Sequence, residues 1–184
     1  GGVTTVLHHV YPEVGHSMAA WLRERKEEAL RGSWVDFGFH ARLRADSPDH
    51  LRELPAVAAL GVRSFKVFMA YRQPGVAVDG PGLREILAAA GRIGGLVLVH
   101  AESQAVIESL EHGAPPGEDP VSAYLRTRPP DAETAAIDEL AGMARELDCE
   151  VYVVHLSSAA ALGAVKVARS HGARVIAETC PHYL

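Results

Sequence analysis

Three residues of this 184-residue chain stand where a purely structural role is hard to give them: Lys66, His100 and His155. Lys66 interrupts the run Ser64-Phe65-Lys66-Val67-Phe68-Met69-Ala70-Tyr71, whose aromatic and β-branched content reads as a buried strand. An ammonium ion does not stay buried without a reason, because taking it out of water costs several kcal/mol. The stem snorkels to the surface, a carboxylate pairs with it, or the amine gives up its charge and does chemistry. His100 closes the apolar run Leu96-Val97-Leu98-Val99-His100, and His155 closes Val151-Tyr152-Val153-Val154-His155. Each is followed by a small or polar segment that can start a helix. One such histidine reads as a satisfied core residue. Two at the same point of two strands, beside a strand lysine, read as a metal-binding set.

The rest of the composition narrows the class. With 48% hydrophobic residues and a formal charge of −5, the chain has material for a real core and no long basic face, so nucleic acid is not implied. No apolar stretch approaches the roughly 20 residues of a membrane span, and no leader segment is visible. Cys149 and Cys180 lie far apart in no metal-type spacing, which predicts free thiols and a reducing, cytoplasmic setting. Most of the ten histidines read as incidental; His8 and His9 are adjacent, so on a strand they face opposite ways.

The elements that must position the three residues alternate. A strand at about Val3 to Leu7 leads to a helix capped by Ser17, with Met18, Trp21, Leu22, Ala29 and Leu30 as its apolar side and Gly32 as its stop. Trp34 to His40 is a strand with Asp36, Gly38 and His40 on one face. Ser47-Pro48 opens a helical segment that Pro55 breaks or restarts before Gly61. After the lysine strand come a Gly- and Pro-rich loop from Arg72 to Gly82 and a helix from Leu83 to Ile93. A helix follows His100 to about His112, with a loop from Gly113 to Pro120 and a short helix from Val121 to Arg126. Pro129-Pro130 starts a long helix carrying Ala132, Ala136, Leu140, Met143 and Leu147 at helical spacing. The second histidine strand, a helix capped near Ser158 and ended by Gly172, and a strand from Ala173 to Glu178 complete the series.

Strand and helix thus repeat about six times, which means α/β architecture with a parallel sheet and right-handed crossovers. An open dinucleotide-binding sheet would show a Gly-rich fingerprint after its first strand, and none is present. Functional residues at the ends of several strands favour a TIM-type (β/α)8 barrel. About six of its eight units are then in hand: residues 1–184 form one partial catalytic barrel domain, strands 2 to 7 of the complete barrel. The abrupt ends suit an excerpt of a longer chain.

A neutral buried lysine amine can add carbon dioxide to give a carbamate, an anion that two divalent cations stabilise. With His100 and His155 supplying imidazole nitrogens, hydroxide between the metals attacks a polarised carbonyl, so the reaction class is hydrolysis of a carbonyl-type bond.

The motifs Ser64 to Tyr71, Val99-His100-Ala101-Glu102, Tyr152-Val153-Val154-His155 and Glu178-Thr179-Cys180-Pro181-His182-Tyr183-Leu184 resemble the cyclic amidohydrolases, specifically the dihydropyrimidinase and hydantoinase branch. Thr127-Arg128-Pro129-Pro130 resembles it too, and the likeness runs over essentially the whole chain in order. The resemblance implies Lys66 as the carbamylated ligand bridging two zinc ions, His100 and His155 as ligands of one of them, and Tyr71 as the phenol that hydrogen-bonds the ring carbonyl and its developing oxyanion. It implies opening of a dihydropyrimidine or hydantoin ring, a small-molecule substrate, and a homotetramer. The family's first-strand His-x-His pair is absent, and its last-strand aspartate would lie beyond Leu184, so the stretch alone is expected to be inactive and to bind metal weakly. His182 stands where hydantoinases more often carry glutamine and allantoinases or dihydroorotases carry histidine. Allantoinase is therefore the rival within the class. A non-catalytic dihydropyrimidinase-related assembly protein is the rival outside it, and retention of Lys66, His100 and His155 favours the enzyme. Cys180 reads as a packed thiol, and Glu178 as facing the lumen or forming a structural ion pair.

Overall fold

The computed structural model describes residues 2–45, 47, 49–71, 73, 75–113 and 115–184. Strands and helices follow in the order β1 (Thr5–Val10), α1 (Met18–Gly32), β2 (Asp36–Arg42), α2 (Asp49–Ala59), β3 (Ser64–Phe68), α3 (Gly80–Arg92) and β4 (Leu96–His100). The chain continues with α4 (Gln104–Glu111), α5 (Pro120–Thr127), α6 (Pro130–Glu146), β5 (Glu150–Val153), α7 (Ala159–Ser170) and β6 (Arg174–Ala177), then a 3-10 turn at Pro181–Tyr183. The strands lie in chain order in one sheet, and the pairs β1–β2, β2–β3 and β5–β6 are parallel. That is the alternating α/β order the sequence predicts. By its internal contacts the chain divides into two compact units, Gly1–Val67 with Gln73–Leu98, and Phe68–Arg72 with Val99–Leu184.

In the first unit, β1 and β2 pair with Leu7 opposite Gly38 and His9 opposite His40. A Cβ on Gly38 would come 2.6 Å from the Leu7 Cδ2, so the leucine lies over the glycine and a larger residue there would push its exposed side chain aside. Helix α1 begins at Ser17, whose Oγ accepts from the Ala20 N–H at 3.2 Å and donates to Glu53 Oε2 at 2.6 Å. Glu53 also accepts the Ala19 N–H at 2.9 Å, so one carboxylate of α2 satisfies the open end of α1. Burial raises the Glu53 carboxyl, but hydrogen bonds from Ala19, Ser17 and Met18 and the neighbouring His50 outweigh it and hold it below the ordinary value of 4.5. Phe65 of β3 is fully buried, which contributes roughly 1.5–3 kcal/mol. Gly95 is what lets the chain return beside it: a Cβ there would come 2.7 Å from the phenyl ring and 3.2 Å from two carbonyl oxygens.

In the second unit, α6 buries Ala132, Ala136, Leu140 and Met143 along one stripe, as their spacing predicts. Ala132 joins Ala70 and Ile107 in a core cluster. Arg126 clamps the loop before α5 with two hydrogen bonds to Glu118, both 2.8 Å.

Several boundaries differ from the sequence reading, each for a physical reason. Pro55 does not break α2: it removes one hydrogen bond from the middle of a helix that still buries Leu54, Val57 and Ala58. Pro48, the expected first-turn proline, lies outside the described residues, as does part of the loop from Arg72 to Gly82. Strand β2 begins at Asp36, leaving Trp34 fully exposed, and Leu30 of α1 is 67% exposed, so hydrophobicity alone misplaced both. The lysine strand ends at Phe68 and the second histidine strand at Val153, so Tyr71 and His155 sit on the loops that follow.

Candidate functional site

The second unit gathers its chemistry where β4 and β5 give way to loops. His100 is the last residue of β4 and only 6% exposed. The chain beyond β5 hangs from both sides: the Val154 N–H donates to the Val99 carbonyl at 3.2 Å, and the Leu156 N–H to the Glu178 carbonyl at 2.6 Å. Between these anchors His155 takes φ +44°, a left-handed conformation that costs a non-glycine residue free energy. The strained backbone brings its Nε2 to 3.0 Å from His100 Nδ1, with ring centroids 4.8 Å apart.

Tyr71 arrives by a second strained residue, with φ +100°. Its N–H donates to Gln104 Oε1 at 2.9 Å, and Gln104, the first residue of α4, donates to Glu108 at 3.0 Å. The turn places the Tyr71 ring 4.9 Å from that of His100, and Phe68 closes the other approach at 5.6 Å. Burial, with smaller contributions from Tyr124 and the Glu102 charge, pushes the Tyr71 phenol above its ordinary value of 10.0, although Arg128 opposes them. The phenol therefore keeps its proton at neutral pH and is a hydrogen-bond donor.

Behind His100 stands Glu102, whose Oε2 is 2.6 Å from His100 Nε2 and 3.6 Å from the Arg128 Nε. Burial raises the Glu102 carboxyl, but the hydrogen bond with His100 and the charges of His100, Arg128 and His155 win and hold it below 4.5. The Arg128 guanidinium lies over the Tyr124 ring at 4.2 Å and faces the Tyr71 ring at 5.9 Å. A cavity of about 380 Å³ opens onto His100, Glu102, Arg128, Glu133, His155 and Tyr183. Glu133, only 7% exposed, accepts from the Ser157 N–H at 2.9 Å, the Ser157 hydroxyl at 3.1 Å and the Ser158 hydroxyl at 3.0 Å. That ties the start of α6 to the loop carrying His155.

Of the residues singled out from sequence, the structure brings Tyr71, His100 and His155 together. Lys66 lies in the first unit, on β3 opposite Arg42 and 4% exposed, the burial that its apolar neighbours predict. Glu102, Arg128 and Glu133 received no role in the sequence reading. A signal for Glu102 was there: at i+2 from a strand-end histidine it can share the histidine's face. The contacts of Arg128 with Glu102 and of Glu133 with Ser157 and Ser158 span 24 to 26 residues, so no local pattern announces them. Glu178 forms no ion pair among the described residues and instead accepts from the Tyr152 hydroxyl at 2.7 Å; burial first, and then this hydrogen bond and the Glu178 charge, push that phenol up to about 12. Both cysteines are free, and burial pushes the Cys149 thiol up, away from nucleophile range. No helix among the described residues is long and apolar enough to cross a membrane.

The His100–His155 pair suits a divalent ion that accepts imidazole. Two ligands about 2.0–2.1 Å from one tetrahedral zinc lie about 3.3 Å apart, so nitrogens 3.0 Å apart would have to open slightly to share an ion, and a carboxylate on the far nitrogen of a ligating histidine is the usual support. Among the described residues no group of three or more His, Cys, Asp or Glu side chains is arranged to hold a metal; the pair by itself offers two imidazole nitrogens.

No family model matches the chain. Curated relatives do. A D-hydantoinase of Geobacillus stearothermophilus is 37% identical over 190 residues, covering all of this chain and 39% of that protein. An allantoinase of Streptomyces avermitilis is 33% identical over 190 residues, covering all of this chain and 41% of that protein. The crystal structure of a dihydropyrimidinase from Brevibacillus agri superposes with a TM-score of 0.87 at 36% identity, again over all of this chain and 40% of that one. The chain thus spans about two fifths of the length of the curated relatives it matches. Its six β/α units have the fold of the corresponding part of these barrels. Along its whole length the chain is a relative of the hydantoinase and dihydropyrimidinase branch of the cyclic amidohydrolases.

Proposed function

We propose that the full-length protein opens a cyclic amide ring, a dihydropyrimidine or hydantoin, by metal-dependent hydrolysis. The observation that carries this reading is the part-buried His100 Nδ1 and His155 Nε2 pair, 3.0 Å apart, with the protonated Tyr71 phenol on the ring packed against it. In this reading His100 and His155 would hold one of two divalent ions, zinc, and Lys66, as its carbamate, would be a ligand to them. Bound there, the ions supply Lewis acidity toward the amide carbonyl and acidify water. Tyr71 donates its phenolic hydrogen bond to the carbonyl oxygen as negative charge develops on it, an interaction stronger in the transition state than in the substrate. Arg128 and Phe68 brace the Tyr71 and His100 rings, and the cavity beside them receives the substrate. Two imidazoles and a lysine do not complete the shells of two ions, so the 184-residue stretch alone is proposed to be inactive. A homotetramer in the cytoplasm completes the reading.

Metal analysis of the full-length protein, with intact mass measured in bicarbonate and turnover assayed on dihydrouracil, hydantoin and allantoin, tests it. Two bound ions, a carbamate mass on Lys66 and opening of dihydrouracil or hydantoin are expected. Absence of metal together with absence of turnover on all three would overturn it and favour a non-catalytic assembly role. Exclusive turnover of allantoin would select the second reading, allantoinase, which His182 and the similarity to allantoinases favour.

A further inference from the structure

The reaction proposed above needs His100 to offer one nitrogen, in one orientation, with the other nitrogen protonated. Imidazole has two tautomers of similar energy, and something must choose between them. His100 is buried, and its two nitrogens meet different groups: Nε2 is 2.6 Å from Glu102 Oε2, while Nδ1 faces His155 Nε2 at 3.0 Å. A carboxylate can only accept, so the proton must sit on Nε2, and the lone pair is then on Nδ1. A carboxylate on a two-carbon stem adopts many rotamers unless it is fixed in turn. Arg128 does this: its Nε lies 3.6 Å from the same Glu102 oxygen, and its guanidinium plane is held over Tyr124 at 4.2 Å. The side chains of Glu102 and Arg128 are each only 17% exposed, so little water competes for either. Arg128 also faces the Tyr71 ring at 5.9 Å, so the residue that fixes the carboxylate also touches the phenol.

The geometry points to Glu102 as a positioning residue that sets the tautomer of His100, with Arg128 as the brace that holds Glu102 in place. This rests on the metal-dependent reading above but is tested apart from it. Both line the cavity beside the histidine pair, and the role assigned to them is exerted through His100.

The test uses the full chain with histidines labelled with nitrogen-15, stripped of metal, so that the His100 tautomer is read by NMR without any activity. Zinc affinity is then measured by competition with a chelating dye. In the parent protein His100 is expected as the Nε2–H tautomer. In Glu102→Ala the Nδ1–H form should appear and zinc affinity should fall about 10- to 100-fold, the range for loss of a group that orients a ligand. Glu102→Gln keeps the shape and can accept through its oxygen, so it should retain part of the Nε2–H population and lose less affinity; it also serves if the alanine variant does not fold. Arg128→Lys keeps the charge but loses the planar stack, and its loss should be smaller than that of Glu102→Ala. An unchanged Nε2–H tautomer with zinc affinity within about twofold of the parent in both Glu102 variants would overturn the positioning role. A parent protein that takes up no zinc while the tautomer shifts in the variants would overturn the hydrolase reading and leave this one standing.

Discussion

Two histidine pairs, one in each unit, show how little residue type alone decides. His9 and His40 face each other across the paired strands β1 and β2, with ring centroids 5.1 Å apart. His100 and His155 are 4.8 Å apart by the same measure, yet the two pairs are built differently. Strand register places the first, and His40 Nδ1 turns to the Ser64 hydroxyl at 2.6 Å. The second combines a strand end with a left-handed residue, so that two nitrogens rather than two ring faces meet, and a carboxylate stands behind one of them. A pair made by register is a consequence of sheet pairing; a pair made against backbone preference is held there by other contacts.

Substitution should separate the pairs most sharply at His155. His155→Ala in the full-length protein should lower turnover by more than about 100-fold and reduce the zinc content, whereas His40→Ala should leave zinc content unchanged. Loss of zinc from both variants alike would erase the distinction. Next in size is Tyr71→Phe, which deletes one hydrogen-bond donor and should lower kcat by about 10²- to 10³-fold with little change in metal content or melting temperature. An unchanged kcat would remove the phenol from the chemistry and leave it as a ring that packs against His100.

The first unit should respond through stability instead. Glu53→Ala leaves the Ser17 hydroxyl and the Ala19 N–H without their acceptor and should cost about 1–2 kcal/mol by chemical denaturation, with zinc binding unaltered. The same carboxylate sets a small pH effect. Its folded-state value is lowered, so the stability it contributes is fully present above 4.5 and is lost as pH falls through that lowered value. Acid titration should show the parent losing more stability below pH 4.5 than Glu53→Ala does. Equal acid loss in the two would mean that other carboxylates govern that limb.

Much of this was legible in the sequence, for reasons that particular elements make plain. The limits of β4 at Leu96 and His100 coincide with the apolar run, and the Ser17, Ser103 and Ser158 caps can each be read from a hydroxyl residue one place before a helix. Burial of Lys66 followed from its neighbours on both sides. The backbone reversals were hidden, because positive φ is rare for tyrosine and, although histidine adopts it more readily than most residues, no local pattern announces either turn. The Arg128 brace was hidden too, since Arg128 and Glu102 are far apart in the chain and meet only because α5 and its flanking turns are folded.

The φ of +100° at Tyr71 puts backbone ease and side-chain usefulness in opposition at a single residue. Glycine would adopt that angle freely, so Tyr71→Gly should relieve local strain that Tyr71→Ala retains, while both lack the phenol. The position would then tolerate its least bulky replacement best in the folding equilibrium and gain nothing from it in turnover. That is the mark of a side chain kept for what it does rather than for how the polypeptide prefers to bend.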